Sequence, residues 1–201
     1  GEDEVIPFLE NVTRGRGIPR ERLAAVGEHY FHFGGVSPIN AQNRALIANI
    51  EVELSKRGID LPVYFGNRNW HPFAEDTAKQ LLDDGRRNVL VFATSAWGGY
   101  SACRQYDEDI QRVRELTPEI TYTKLWQFYG HPTFVDLVAN GLREAVKKAN
   151  GDTRVLFTAH SVPSAADEAA GGPTDQHLYS RQVAEAAKLV AKQAGVDSYE
   201  V

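Results

Sequence analysis

Histidine and cysteine are the side chains of this 201-residue sequence best suited to bind a metal or to start a covalent reaction. His160 follows the apolar run 155–157 and precedes Ser161-Val162-Pro163, so it lies where a predicted strand ends. Ligands of open parallel sheets bind beyond the carboxyl ends of the strands. A neutral imidazole there can act as a base or as a metal ligand. The alternative is a buried histidine that bonds to the backbone, and position alone leaves both open.

The other five histidines are weaker candidates. His71 and His131 each precede a proline and are expected to lie where a helix begins. His29 and His32 are three residues apart on a predicted helix, a spacing that can bind metal. They have no nearby cysteine or carboxylate partner, so a packing role is favoured. His177 is expected to face solvent near the start of the last helix.

Cys103 is the only cysteine, so no intrachain disulfide and no cysteine-only metal site can form within this chain. No histidine lies close in sequence to activate the thiol, which favours a buried or half-buried thiol over a nucleophile. A reducing, cytoplasmic location is the simplest interpretation.

Arg14 and Arg16 flank Gly15 in a predicted turn after the first helix. Two guanidinium groups on such a turn can make forked contacts to carboxylates. An ordinary exposed basic turn explains the same pattern.

The composition excludes several classes of protein. Hydrophobic residues make up 42% of the chain and charged residues 24%, which is typical of a globular domain. The net charge of −5 is spread along the chain, which argues against nucleic acid as the main partner. No apolar run approaches the ~20 residues of a membrane span. The chain lacks methionine and ends on Asp197-Ser198-Tyr199-Glu200-Val201, so it is expected to be part of a longer protein.

Hydrophobic spacing predicts an α/β fold with a doubly wound parallel sheet and flanking helices. Helices are expected over residues 4–12, 20–33, 38–57, 72–84, 101–116, 132–150 and 176–194. Strands are expected over 61–65, 88–93, 120–128 and 154–158. The continuous apolar run of the second strand predicts burial on both faces. Residues 164–176, rich in Ala, Gly, Asp and Pro, are expected to form a mobile loop.

Aromatic, hydroxyl and imidazole groups follow all four predicted strands, in segments 66–71, 94–100, 129–131 and 160–161. We expect them to converge on one edge of the sheet, where they suit a large, flat, partly apolar ligand. No Gly-x-Gly-x-x-Gly follows a strand, which argues against a nicotinamide or flavin cofactor.

Four segments, in this order, resemble the motifs of the ferrochelatase family: Asn11–Arg16, Gly34–Asn40, Val63–Arg68 and Phe157–Pro163. The ordered set covers essentially the whole chain and is far more specific than any one motif. Residues 14–17 and 101–106 are most similar to ferrochelatases of actinobacteria, which resemble the branch that acts on coproporphyrin.

The resemblance implies insertion of ferrous iron, the metal substrate, into a porphyrin during haem biosynthesis. His160 matches the catalytic histidine that faces the porphyrin centre, where it binds the incoming metal or accepts pyrrole protons. Ser37 and Tyr106 match positions that contact the porphyrin. Arg14 matches the turn that meets its propionates, and Arg16 matches that turn less closely.

The sequence also departs from the family. The glutamate that faces the histidine belongs to the family's second half, which is absent, and the opening strand is missing apart from Gly1-Glu2. Residues 1–194 are therefore expected to be an N-terminal chelatase-like, Rossmann-like domain, and 195–201 to lead to the C-terminal domain. The 201 residues alone are expected to be inactive.

Actinobacterial relatives carry an iron–sulfur cluster with one cysteine ligand near the loop before the last helix. Here residues 169–173 contain no cysteine, which puts a [2Fe–2S] cluster in doubt, and the absent C-terminal half leaves the question open. Two alternatives remain: a non-catalytic tetrapyrrole- or haem-binding module, and a related cobalt or sirohydrochlorin chelatase. The Arg-Gly-Arg and Gly-Gly-x-Ser-Pro segments speak against the second. The sequence predicts no particular protein partner.

Overall fold

The structure is a computed structural model that describes residues 1–99, 104–149, 151–171 and 176–201. In chain order its elements are α1 (Glu2–Val12), α2 (Arg20–His32), α3 (Ile39–Lys56), α4 (Ala74–Asp83), β1 (Asn88–Val91), α5 (Gln105–Leu116), β2 (Thr121–Lys124), α6 (Pro132–Lys148), α7 (Ser164–Glu168) and α8 (Leu178–Ala194). Some of the predicted features lie outside the described residues: Cys103, the predicted helix start at 101–103, the predicted helix end at 150 and positions 172–175 of the predicted loop.

The chain divides into two compact units. The first comprises Gly1–Arg87 and Glu115–Ile120, and the second comprises Asn88–Arg114 and Thr121–Val201. The assignment of residues 1–194 to one domain stays a prediction.

The core of the first unit lies between α1 and α2. Val5 and Leu9, one helical turn apart on α1, are buried against Leu23 of α2. Gly27 allows the helices to approach, because a Cβ there would lie only 3.2 Å from Cδ1 of Ile6. The apolar spacing that predicted these helices is thus the spacing of their buried faces.

The sheet of the second unit consists, within the described residues, of β1 and β2. The two strands are parallel, with Asn88 opposite Thr121 and Val91 opposite Lys124. α5 connects them, as a parallel pair requires a crossover. The predicted α/β fold class with a parallel sheet is confirmed.

The predictions of two strands are wrong. Residues 61–65 and 154–158 form no strand in the described structure, and the second of these makes only an isolated bridge between Leu156 and Glu200. The N–H of Phe157 donates to the carbonyl of Glu200 at 2.9 Å, so this backbone pairs near the chain's end instead of with β1 or β2. An apolar run predicts burial, but a strand also needs a partner along its backbone.

The prediction that the 88–93 strand is buried on both faces is also wrong. Leu90 is 61% exposed and Phe92 is 44% exposed, whereas Val89 and Val91 are half-buried. Successive side chains of a strand point to opposite faces. One face of β1 is therefore covered and the other is open.

Helices α6 and α8 form the main helical contact of the second unit. Val135 and Ala139 of α6 are buried against Val190 of α8, with Phe157 and Leu189 packed beside them. Small buried side chains along both helices allow this close approach. As predicted for a histidine before a proline, His131 lies at the start of a helix, where it is the N-cap residue of α6.

The loop predicted over 164–176 begins instead with a helix. α7 occupies Ser164–Glu168, directly after Pro163. Two alanines in this short segment favour helix, and they outweigh the glycines that follow them. The loop prediction is therefore wrong for its first five residues.

In the described part of the chain, none of the helices has the length and apolarity that crossing a membrane requires.

Candidate active site

His160 lies in an exposed segment of the second unit, and its described backbone from 158 to 163 belongs to neither a helix nor a strand. Its Nδ1 lies 2.7 Å from the backbone carbonyl oxygen of Ser161. A carbonyl can only accept a hydrogen bond, so Nδ1 carries the proton in this contact. In the neutral imidazole, Nε2 then keeps its lone pair, which can bind a metal or accept a proton.

Helix α8 holds the backbone of this histidine. The hydroxyl of Tyr179, in the first turn of α8, donates to the carbonyl oxygen of His160 at 3.0 Å. The two residues are 19 positions apart in the sequence. The contact attaches a segment without regular structure to a rigid helix.

The start of α8 is capped from α7. Asp167 is buried, at 8% exposure, and its carboxylate accepts hydrogen bonds from the N–H and the hydroxyl of Ser180. His177 is the N-cap residue, and its Nδ1 lies 3.2 Å from Oδ2 of the same carboxylate. Burial acts to raise the pKa of Asp167, but the hydrogen bonds from Ser180 and His177 outweigh it and lower that pKa. Asp167 therefore performs the capping role that His177 cannot perform itself.

The loop after β1 also packs on α8. The N–H of Gly98 donates to Oε1 of Gln182 at 2.5 Å. A Cβ at Gly98 would lie 2.6 Å from Cδ2 of Leu178, and one at Gly99 would lie 3.3 Å from Cβ of Tyr179. Glycine is required here because any side chain would push the loop away from the helix. The first turns of α8 therefore contact both the loop after β1 and the backbone of His160.

Aromatic rings gather beyond the ends of β1 and β2. Trp97 stacks on Tyr129 with ring centroids 6.3 Å apart, and Phe134 packs edge-on against Trp97. The N–H of Tyr129 donates to the carbonyl of Ala96 at 3.1 Å, which joins the two strand-end segments. The predicted convergence is confirmed for these two segments, because parallel neighbours end at the same sheet edge.

The segment 66–71 belongs to the first unit. Its Trp70 packs edge-on against Phe8 and donates from Nε1 to Oε1 of Glu4 at 3.4 Å. The backbone carbonyl of His71 accepts hydrogen bonds from the side-chain amides of Asn40 and Asn67. The segment is therefore fixed by side chains of its own unit.

Arg14 lies on an exposed turn that ends α1, and a side chain fixes its direction. Its guanidinium donates to Oδ1 of Asn11, whose Nδ2 donates to the carbonyl of Asn69 at 2.6 Å. Gly15 and Gly17 adopt positive φ, so the turn needs glycine on both sides of Arg16. The predicted basic turn is thus built into the first unit and presents its charge to solvent.

Ser37 lies two residues before α3, in the exposed segment that follows Gly34 and Gly35. Its hydroxyl oxygen accepts the N–H of Ile39 at 3.3 Å, which satisfies one of the open N–H groups at the start of the helix. Tyr106 lies in the first turn of α5, in the second unit, and is half-buried. Of the predicted site residues, Arg14 and Ser37 therefore belong to the first unit, and Tyr106 and His160 to the second.

The donor set of this chain does not fit an iron–sulfur cluster by itself. Such clusters are held by cysteine thiolates, usually four of them, and this sequence contains one cysteine. Within the residues that the structure describes, no group of three or more His, Cys, Asp or Glu side chains is placed to hold a metal ion.

Sequence reasoning missed Tyr179, Asp167 and Gln182. Tyr179 and Gln182 bond to backbone atoms far away in sequence, and no local pattern reveals such contacts. Asp167 left one indirect signal. The residue before α8 is a histidine instead of the Ser, Thr, Asp or Asn that usually caps a helix, so the cap had to come from elsewhere.

Comparison with known proteins identifies the family. The ferrochelatase family model matches residues 1–201, the whole chain. The chain belongs to the ferrochelatase family.

Individual ferrochelatases are similar along the same length. The chain is 56% identical to the coproporphyrin III ferrochelatase of Corynebacterium glutamicum (strain R) over 209 aligned positions, which cover 100% of this chain and 56% of that protein. It is 55% identical to the enzyme of the same name from Corynebacterium diphtheriae, covering 98% of this chain and 57% of the relative. The Nocardia farcinica protein is 56% identical, with coverage of 99% and 58%. The chain thus spans somewhat more than half the length of these ferrochelatases.

Proposed function

We propose that the protein inserts ferrous iron into coproporphyrin III, and that this chain supplies the porphyrin contacts and the metal-site histidine. The support is its membership of the ferrochelatase family and its identity of 55–56% to proteins named coproporphyrin III ferrochelatase. The single structural observation that carries the proposal is the bond from His160 Nδ1 to the Ser161 carbonyl. This bond leaves Nε2 as the ring nitrogen that can bind a metal or accept a proton.

The chemistry requires such a group because of charge balance. A ferrous ion brings two positive charges into the macrocycle, and two pyrrole N–H protons must leave as it enters. The Nε2 lone pair of His160 can accept one of these protons or bind the incoming ion. Both roles need the same tautomer, in which the proton sits on Nδ1.

The remaining site residues are proposed to bind the porphyrin. The guanidinium of Arg14, oriented by Asn11, is suited to a propionate carboxylate because its forked donors match that group. Ser37 and Tyr106 carry hydroxyls that can donate to a propionate or lie against the ring. We place the reaction in the cytoplasm, in haem biosynthesis.

The test is metal insertion by the full-length protein. Ferrous iron is supplied anaerobically with coproporphyrin III or with protoporphyrin IX, and insertion is followed by the loss of porphyrin fluorescence. We expect turnover with coproporphyrin III and slower turnover with protoporphyrin IX. Tight porphyrin binding without insertion of iron would instead make the protein a tetrapyrrole-binding module. Faster turnover with protoporphyrin IX would assign it to the other branch of the family.

A further inference from the structure

The backbone around His160 needs an external support. Residues 158–163, all described, lie outside any helix or strand, so no ladder of backbone hydrogen bonds fixes them. Among the residues that the structure describes, the imidazole bonds only to the next residue in the chain, through the carbonyl of Ser161. A local bond of this kind sets the ring relative to its own backbone, but it does not set that backbone relative to the rest of the unit.

Tyr179 supplies the missing connection. Its hydroxyl donates to the carbonyl oxygen of His160 at 3.0 Å, from the first turn of a 17-residue helix. One backbone torsion, ψ of His160, sets the direction of this carbonyl and also the positions of N and Cα of Ser161. Holding the carbonyl of His160 therefore fixes the start of Ser161, the residue whose carbonyl accepts from Nδ1.

Two contacts fix the position of Tyr179 on α8. Its Cβ packs against Gly99, where an added methyl group would lie at 3.3 Å. The turn that carries it is capped by Asp167 through the N–H and hydroxyl of Ser180, the next residue. The hydroxyl thus extends from a rigid base, which is what a positioning group needs.

We propose that Tyr179 is a positioning residue for metal insertion: its hydroxyl orients His160, and through the Ser161 carbonyl it selects the tautomer with a free Nε2 lone pair. This inference rests on the proposed function. Tyr179 has no chemical role of its own, because its hydroxyl hydrogen is used by the carbonyl. Outer-shell partners of metal-binding histidines act in this way, and their loss typically costs about 10- to 100-fold in affinity or activity.

The test is Tyr179→Phe in the full-length protein, which removes the hydroxyl and keeps the ring against Gly99. We expect kcat for iron insertion to fall roughly tenfold. The KM for the porphyrin should stay within about twofold, because the residues proposed to bind the porphyrin are unchanged. Tyr199→Phe is the matched control, since this half-buried tyrosine packs edge-on against Phe157 in the same unit. It should leave kcat unchanged.

A second measurement does not depend on activity. Nitrogen-15 NMR of the histidine rings, with His160 assigned by its loss in His160→Ala, reports which nitrogen carries the proton. We expect the Nδ1–H form in the wild type and a mixture of tautomers in Tyr179→Phe, with the unfolding temperature changed by less than about 4 °C.

Failure of this inference is distinguishable from failure of the proposed function. A wild type that inserts metal, together with a Tyr179→Phe variant whose kcat and His160 tautomer match it, would overturn the positioning role alone. A fall in kcat accompanied by a larger loss of thermal stability would also overturn it, because the tyrosine would then be structural. A wild type that inserts no metal refutes the proposed function, and the tautomer measurement still tests whether Tyr179 orients His160.

Discussion

The buried carboxylate of Asp167 accepts the backbone N–H of Ser180 at 3.2 Å and so caps a helix that begins eleven positions further along the chain. The N–H groups at the start of a helix have no partner within the helix. An ionised carboxylate there also interacts favourably with the helix dipole. A residue of α7 therefore stabilises the first turn of α8, which carries Tyr179.

This contact predicts a pH-dependent loss of stability in Asp167→Asn. The pKa of Asp167 is lowered in the folded protein from its ordinary value of 3.8, so its contribution is fully present above that value. It is lost as the pH falls through the lower, folded pKa. We expect the variant to be less stable than the wild type by about 1 kcal/mol at pH 7, a typical value for a capping residue.

Urea denaturation followed by circular dichroism at several pH values measures this difference. It should persist down to about pH 5 and shrink below about pH 4. Glu168→Gln is the control, because it removes an exposed neighbouring carboxylate from the same helix. A difference of equal size in both variants would show that overall charge, and not the cap, is responsible.

Gly98→Ala is expected to destabilise the second unit. The new methyl group would lie 2.6 Å from Cδ2 and 2.9 Å from Cγ of Leu178, so the loop or the helix must move. Overpacking of this kind costs about 1–3 kcal/mol. The free energy of unfolding measures it. Gly130→Ala is the matched control, because its Cβ would lie 3.8 Å from Leu189, an ordinary contact. Equal effects of the two substitutions would contradict the close packing at Gly98.

His160→Ala is expected to lower metal insertion by at least about 100-fold, since it removes the group proposed to bind the ion or take the proton. The loss of porphyrin fluorescence with ferrous iron and coproporphyrin III measures the rate of metal insertion. His29→Ala, at an exposed position on α2, should retain the wild-type rate. A His160→Ala variant with near-normal turnover would remove this residue from the mechanism.

Arg14→Ala is expected to raise the KM for coproporphyrin roughly tenfold and to change kcat little, because it removes the guanidinium proposed to contact a propionate. Steady-state kinetics at varied porphyrin concentration separate the two constants. Arg22→Ala removes an exposed guanidinium from α2 and should leave both constants unchanged. If Arg22→Ala raised the KM by the same factor, the effect would come from general charge and not from the turn.

The sequence predicted helices better than strands, for a physical reason. The bounds of α2 and α3 follow from apolar spacing within each segment, so they lie within one residue of the prediction. A strand depends in addition on a partner elsewhere in the chain. Residues 61–65 are as apolar as a strand requires, yet their backbone does not pair with β1 or β2.

The candidate site shows the same difference between features set by local sequence and features set by contacts with distant residues. Trp97 and Tyr129 could be placed together because both follow neighbouring parallel strands. Ser37 became a candidate through a family motif alone, and a family motif also decided for Arg14, since an exposed serine or arginine is common on any surface. Tyr179 could not be found in either way. Its partner is a backbone carbonyl. Every residue has one, so the amino-acid sequence does not show which carbonyl the tyrosine contacts.

The hydrogen bond between Tyr179 and His160 also has a consequence for folding of the chain during its translation. The ribosome releases the histidine nineteen residues before the tyrosine that holds it. At ordinary rates of translation, about 5–20 residues per second, Tyr179 is added roughly one to four seconds after His160. During that interval the imidazole is attached to a segment without a fixed direction. The segment around His160, the proposed metal-site residue, can therefore acquire its final geometry only after α8 has been synthesised and docked.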